Sequence, residues 1–183
     1  MILIHIGVKI IENSRFEDNC RIMKFKDSLA FLNKLNNLFN GLIALPLLIV
    51  GFGYLEISNG SWSALIEPTN AIIISMVLAL GALVTYISLQ FKKESRKLTV
   101  FDNIQAKMAA YFSLASFYYW SVFALTIIAA ALLFLFAHLA FAVIYAYMLF
   151  WMSVFRPTLR SLADLFDLKD EEKLKFLNKE PFE

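Results

Sequence analysis

The chain has one cysteine, Cys20, two histidines, His5 and His138, and few charges, with Asp, Glu, Lys and Arg making up 17% of its 183 residues. A lone cysteine excludes an intramolecular disulfide and any thiolate-bridged metal cluster. Two histidines, one of them close to the N-terminus, cannot build a bis-histidine site within one subunit; only a homodimer could pair His138 with a second copy. A phosphate-cradling glycine loop, a Gly-x-Ser-x-Gly elbow and a His-Glu-x-x-His helix are missing as well. In place of charge the sequence carries 60% hydrophobic residues and a mean hydropathy of +0.65, against ~45–50% apolar in soluble domains. A soluble globular fold and a disordered chain are both excluded. Residues 1–11 are not a secretory signal: they open apolar, contain His5 and Lys9, and lead to no small-residue cleavage site.

Charge-free windows locate the membrane segments. Residues 35–55 lie between Lys34 and Glu56, and residues 68–91 between Glu67 and Lys92. As helices they cover about 30–36 Å, matching a hydrocarbon core of about 30 Å. The third window, residues 108–155, would run about 72 Å as one helix and must fold back on itself. No glycine or proline marks the turn, which symmetry puts near residues 133–137. That fold sets Tyr118 opposite Trp151 and Tyr119 opposite Phe150, at a depth where interfacial aromatics sit. The expected architecture is therefore all-α, a four-helix membrane bundle of two hairpins with spans at about 35–55, 68–91, 110–133 and 136–155. Spans three and four read aromatic and aliphatic all round, as lipid-facing helices do.

The 17 basic residues all fall before span one, in the segment 92–107, or after Phe155. The other two connections carry none, so the positive-inside rule puts both termini in the cytoplasm of a multi-pass protein of the inner or plasma membrane. Residues 1–34 form an N-terminal arm and interfacial helix. Within it Ile2, Ile4, Ile6, Val8 and Ile10 alternate like a strand, and translation starts at either Met1 or Met23. Lys24–Phe39 has Phe25, Leu29, Leu32, Leu35 and Phe39 at helical spacing, the pattern of a helix in the headgroup layer. Residues 156–183 form an amphipathic tail. Leu159, Leu162, Ala163 and Phe166 mark one helix, and a second begins at Asp170 with acids first and lysines later, which complements its dipole.

No Asp, Glu, Lys or Arg lies inside a span, which weighs against proton-coupled pumps, carboxylate ion carriers and voltage sensors. His138 falls just past the external turn as an outer-interface polar residue suited to hold it. In the tail, Arg160, Asp164 and Asp167 are candidates for docking a partner. The Asp164, Asp167, Asp170 spacing also resembles the aspartates of metal-dependent headgroup transferases, without their glycine- and arginine-rich companions. The basic run Lys92, Lys93, Arg96, Lys97 is what topology demands of a cytoplasmic connection, and no nucleic acid is expected as a partner.

Uncharged polar and small residues in spans one and two are the remaining candidates, as helix-packing or pore-lining positions. Span one carries Asn36, Asn37 and Asn40 at its cytoplasmic end, then Gly41, Pro46, Gly51 and Gly53. Pro46 frees a backbone carbonyl and favours a kink. In span two, Ser75 and Ala79, then Gly81 and Thr85, have the spacing that lets helices approach closely. The functional expectation is a non-enzymatic membrane component, an accessory subunit or self-associating scaffold. It has no cofactor, and its partners are the lipid bilayer and a second copy or another membrane protein. The alternatives are a small oligomeric channel or membrane-perturbing effector and, third, a headgroup-modifying enzyme using the tail carboxylates.

Overall fold

The computed structural model describes residues 25–101 and 103–181. The N-terminal arm, with its alternating isoleucines, His5, Cys20 and Met23, lies outside the described residues. What is described is all-helical: α1 (Ser28–Ser58), α2 (Asn70–Ser95), a 3-10 turn (Arg96–Val100), α3 (Ile104–Phe136), α4 (Ala140–Val154), α5 (Leu159–Leu165) and α6 (Asp170–Leu177). Three helices are long and apolar enough to cross a membrane, and α4 with α5 forms a pair bent by 67° that passes the same test together.

α1 begins where Asp27 caps it, the carboxylate accepting the Ala30 N–H at 2.6 Å. Its buried stripe, Phe31, Leu35, Phe39, Leu42, Pro46, Val50 and Gly53, runs without a break along one face. From Ser28 on, the expected headgroup-layer helix is therefore the start of α1 itself rather than a separate element. Phe31, Leu35 and Phe39 stay in phase with the span, so nothing turns the chain aside. Pro46 sits within this continuous helix and on its buried face. Likewise the basic segment 92–107 is mostly helical, because α2 carries on through Lys92 and Lys93 to Ser95 and α3 takes over at Ile104.

α3 is the centre of the molecule, which corrects the expectation for span three; span four keeps exposed Val143, Phe150 and Val154 on its outer face. Lys107, Tyr111, Ala115, Tyr118, Val122, Ala129 and Leu133 are buried along its length. Its exposed stripe is narrow: Ser113, Phe117, Trp120, Ala124, Ile128 and Ala131. α1, α2 and α4 all pack on α3, α2 also packs on α4, and α1 hardly touches α2. The first helix pair is thus no packed hairpin, unlike α3 and α4. The reason is the connection 59–69, which crosses over the end of α3. There Trp62 Nε1 donates to the Phe134 carbonyl at 2.9 Å, and the Leu65 and Ile66 N–H groups donate to the Leu135 carbonyl at 3.0 and 3.3 Å. Those carbonyls end α3 and have no partner in their own helix, so the loop caps α3 and carries the chain to its other side.

The α3–α4 turn falls at residues 137–139, slightly later than symmetry expects. Ala137 takes the left-handed conformation at φ 46°, a place usually held by glycine. The later turn moves the register, so Tyr118 and Tyr119 lie beside Phe155 and not Trp151 and Phe150. The Tyr118 and Phe155 rings are 5.7 Å apart, and the Tyr119 hydroxyl donates to the Phe155 carbonyl at 3.4 Å. Both tyrosines are buried; they belong to the helix seams rather than to an interfacial girdle.

These contacts define a common level across the bundle. Phe39 of α1 lies 5.6 Å from Tyr119, and Phe91 of α2 stacks on Tyr118 at 4.6 Å. From that level to the far ends α1, α2 and α3 run about 27–32 Å, close to one hydrocarbon core, and α4 about 22 Å. Outside it, the first turns of α1 and α3 and the 3-10 turn project onward, and α5 and α6 fold back against them.

Candidate functional site

The end beyond the tyrosine level has a core of its own, built by residues far apart in sequence. Phe31, Leu98, Tyr111, Leu162, Phe166 and Phe176 are buried there, with the Phe166 ring 6.0 Å from Tyr111 and 6.2 Å from Phe176. Hydrogen bonds to backbone fasten the tail. Ser28 Oγ donates to the Phe176 carbonyl at 2.6 Å, and Lys107 Nζ donates to the Phe166 carbonyl at 2.7 Å. Gln105 grips Phe25 from both sides, accepting from its N–H at 3.1 Å and donating to its carbonyl at 2.7 Å. Asp27 and Pro181 pair as an antiparallel bridge, so the first and last described turns of the chain lie side by side.

Lys107 is the unusual member. It is only 8% exposed, and no carboxylate among the described residues pairs with it. Its partner Phe166 caps the C-terminal end of α5, where the helix dipole favours a cation. Counted along the sequence, Lys107 looks like one more positive loop residue. Its spacing to Tyr111, Ala115 and Tyr118 puts it on the buried stripe of α3, and that periodicity is the signal that would have found it.

The tail carboxylates are spread out. Asp164 on α5 accepts from Lys173 Nζ at 2.8 Å, and this partner holds its carboxyl below the usual range. Asp167 adopts positive φ in the α5–α6 link, and Asp170 opens α6. Arg160 is exposed on α5. α5 starts with a capping box in which Thr158 and Ser161 satisfy each other. His138 is exposed at the opposite end, its Nδ1 accepting the Ala140 N–H at 3.2 Å across the α3–α4 turn.

The small-residue candidates divide into two sets. Gly81 and Thr85 lie on the α2–α4 seam: a Cβ on Gly81 would stand 3.3 Å from Ile144 Cδ1, and Thr85 Oγ1 is 2.8 Å from the Tyr147 hydroxyl. Gly53 is tighter, since a Cβ there would meet Phe134 Cζ at 2.7 Å. By contrast Asn37, Asn40, Gly41, Gly51, Ser75 and Ala79 face outward, and nothing lies within 4 Å of a Cβ built on Gly41 or Gly51. Asn36 is half-buried where α4 ends. Its Oδ1 accepts from Arg156 Nε at 3.5 Å, and the Arg156 guanidinium stands 5.5 Å from the centre of the Phe39 ring. Compared with protein-family models, curated proteins and solved structures, the chain matches none.

Proposed function

We propose that the chain is a non-enzymatic, four-span membrane protein acting as an accessory subunit or self-associating scaffold. The observation that carries this reading is the outward set on α1, with Gly41 and Gly51 open on the surface. The chain's own seams are filled by aromatic and aliphatic side chains, so these glycines serve no contact within one copy. In a bilayer, where lipid gives helices little hydrophobic reason to associate, exposed glycines let a second helix backbone come close.

Parity supports four crossings. Asp27 and Pro181 bridge each other and so share one side of any membrane, which requires an even number of crossings between them. With α1, α2 and α3 each long enough, α4 supplies the fourth. The basic residues after α2 and α4 lie on that shared side, which argues for cytoplasmic ends. Ser28, Lys107 and Asp164 are engaged in holding the tail and Gln105 in holding Phe25, which leaves these polar groups structural work. A channel remains the alternative and would form between copies around the same outward residues.

Gly41→Leu with Gly51→Leu tests the reading. Nothing in the same copy lies within 4 Å of a Cβ at either position, so the variant should keep its fold by circular dichroism. Its mass in gently extracted complexes falls to that of a single chain. An unchanged complex would exclude α1 as the association face, and a wild-type chain that is always alone would sink the scaffold.

A further inference from the structure

Among the described residues, the boundary level carries cations that form no ion pair. Lys92 and Lys93 follow Phe91 on α2, Arg96 is one turn further, and Arg156 follows Phe155 on α4. All four are exposed. Glu94, in the same stretch, is taken by Lys97 at 2.7 Å. The tail below is different. Arg160, Lys169, Lys173, Lys175 and Lys179 are interspersed there with Asp164, Asp167, Asp170, Glu171, Glu172 and Glu180, and two of those lysines are in ion pairs. Among the described residues, Lys92, Lys93, Arg96 and Arg156 thus form a collar of exposed cations without ion pairs at one level.

Arg156 is the best-organised member of this collar. The Phe39 ring lies beneath its guanidinium carbon and Asn36 accepts from Nε, while its two Nη groups make no hydrogen bond to the described residues. Asn40 is exposed one turn up α1. A guanidinium oriented in this way, with its outer fork free, fits a phosphate through paired hydrogen bonds. Phe155 and Tyr119 next to it mark the depth at which hydrocarbon gives way to headgroups.

We propose that Arg156, with Asn36 and Asn40 at the α1–α4 seam, binds the phosphate of an anionic phospholipid, and that Lys92, Lys93 and Arg96 extend the same headgroup surface around α2. The inference rests on the membrane-spanning reading and not on self-association. An acidic protein partner fits less well, because the collar lies at the depth of lipid phosphates and on two separate helices.

The test uses the full chain in detergent, incubated with equimolar phosphatidylglycerol and phosphatidylcholine, with retained lipid counted by native mass spectrometry. Wild type should keep phosphatidylglycerol in several-fold excess. Arg156→Gln should lose most of that excess, Arg156→Lys should keep an intermediate share, and Arg160→Gln in the tail should behave as wild type. If Arg156→Gln misfolds, the Arg156→Lys variant and a Lys92→Gln, Lys93→Gln pair carry the comparison. Equal retention of the two lipids, an equal loss in Arg160→Gln, or complete displacement by millimolar inorganic phosphate would each overturn the proposal. Release of the chain from membranes by alkaline carbonate would mark failure of the spanning reading instead.

Discussion

Between the tyrosine level and the far turn, helices meet through side chains; beyond that level, the chain meets its own backbone. In the first region Phe39, Phe91, Tyr118, Tyr119 and Phe155 pack ring against ring, with the side-chain pairs Thr85–Tyr147 and Ser88–Tyr118 between helices. Among the described residues, bonds to another element's backbone come only at its two ends, from Tyr119 to Phe155 and from the loop to the end of α3. In the second, side chains of Ser28, Gln105 and Lys107 reach carbonyls of Phe176, Phe25 and Phe166. The difference follows from the solvent. In hydrocarbon each helix must satisfy its own backbone, so close packing and a few side-chain hydrogen bonds are left to hold helices together. In water a short helix such as α5 or α6 is unstable alone and needs both apolar burial and end caps from elsewhere.

The comparison breaks most clearly at Phe166. It is fully buried between Tyr111 and Phe176, so Phe166→Ala should cost about 3–5 kcal/mol of local stability. The loss should fall on the tail alone: amides of α5 and α6 exchange hydrogen faster, while those of α3 above Tyr118 keep their protection. Uniform loss along α3 would mean that the two regions unfold as one. Lys107→Met is the next step down. It removes a charge-assisted hydrogen bond of about 1.5–3 kcal/mol and leaves the Phe166 carbonyl without its donor. Limited proteolysis should then cut sooner near residues 156–158, and an unaltered digest would show that apolar packing alone holds the tail.

The long apolar helices and the two tail helices were legible because they depend on local features, charge-free length and apolar spacing. The order of helices around α3 was not. α3 is apolar on all sides, so its sequence does not distinguish a central helix from a peripheral one; burial of Tyr118 and Tyr119 follows from neighbours on three other helices. The late turn was hidden because Ala137 holds a conformation that alanine rarely advertises. Gly41, Gly53 and Gly81 look alike in sequence, yet one is open and two are closed, since the α1 and α2 faces turned toward α3 and α4 are set by the loop over Phe134 and Leu135. Arg156 and Lys107 were counted as topological charge, and their separate roles arise only from residues on other helices.

That division among glycines gives a sharper test of the apolar region. Gly53→Val forces Phe134 to move from 2.7 Å, and overpacking of this kind costs about 1–3 kcal/mol. Thermal unfolding in detergent should fall for Gly53→Val and stay level for Gly41→Val, which has open space. Equal behaviour would mean that the Phe134 end of α3 yields freely and that the loop cap does not fix it.

The smallest effect belongs to the exposed pair in the tail. Lys173 lowers the Asp164 carboxyl below its ordinary value of 3.8, first by hydrogen bond and then by charge. A carboxylate whose pKa is lowered on folding stabilises the fold at neutral pH, and that contribution is lost as pH falls below the ordinary value through the lowered one. Exposure and salt screening keep it small. Asp164→Asn should therefore loosen the tail slightly at pH 7, read as faster exchange in α6. The difference from wild type should close as the pH falls through the carboxylate range. A difference that survives at low pH would assign Asp164 a packing role and move it from the charged surface to the buried side of the comparison.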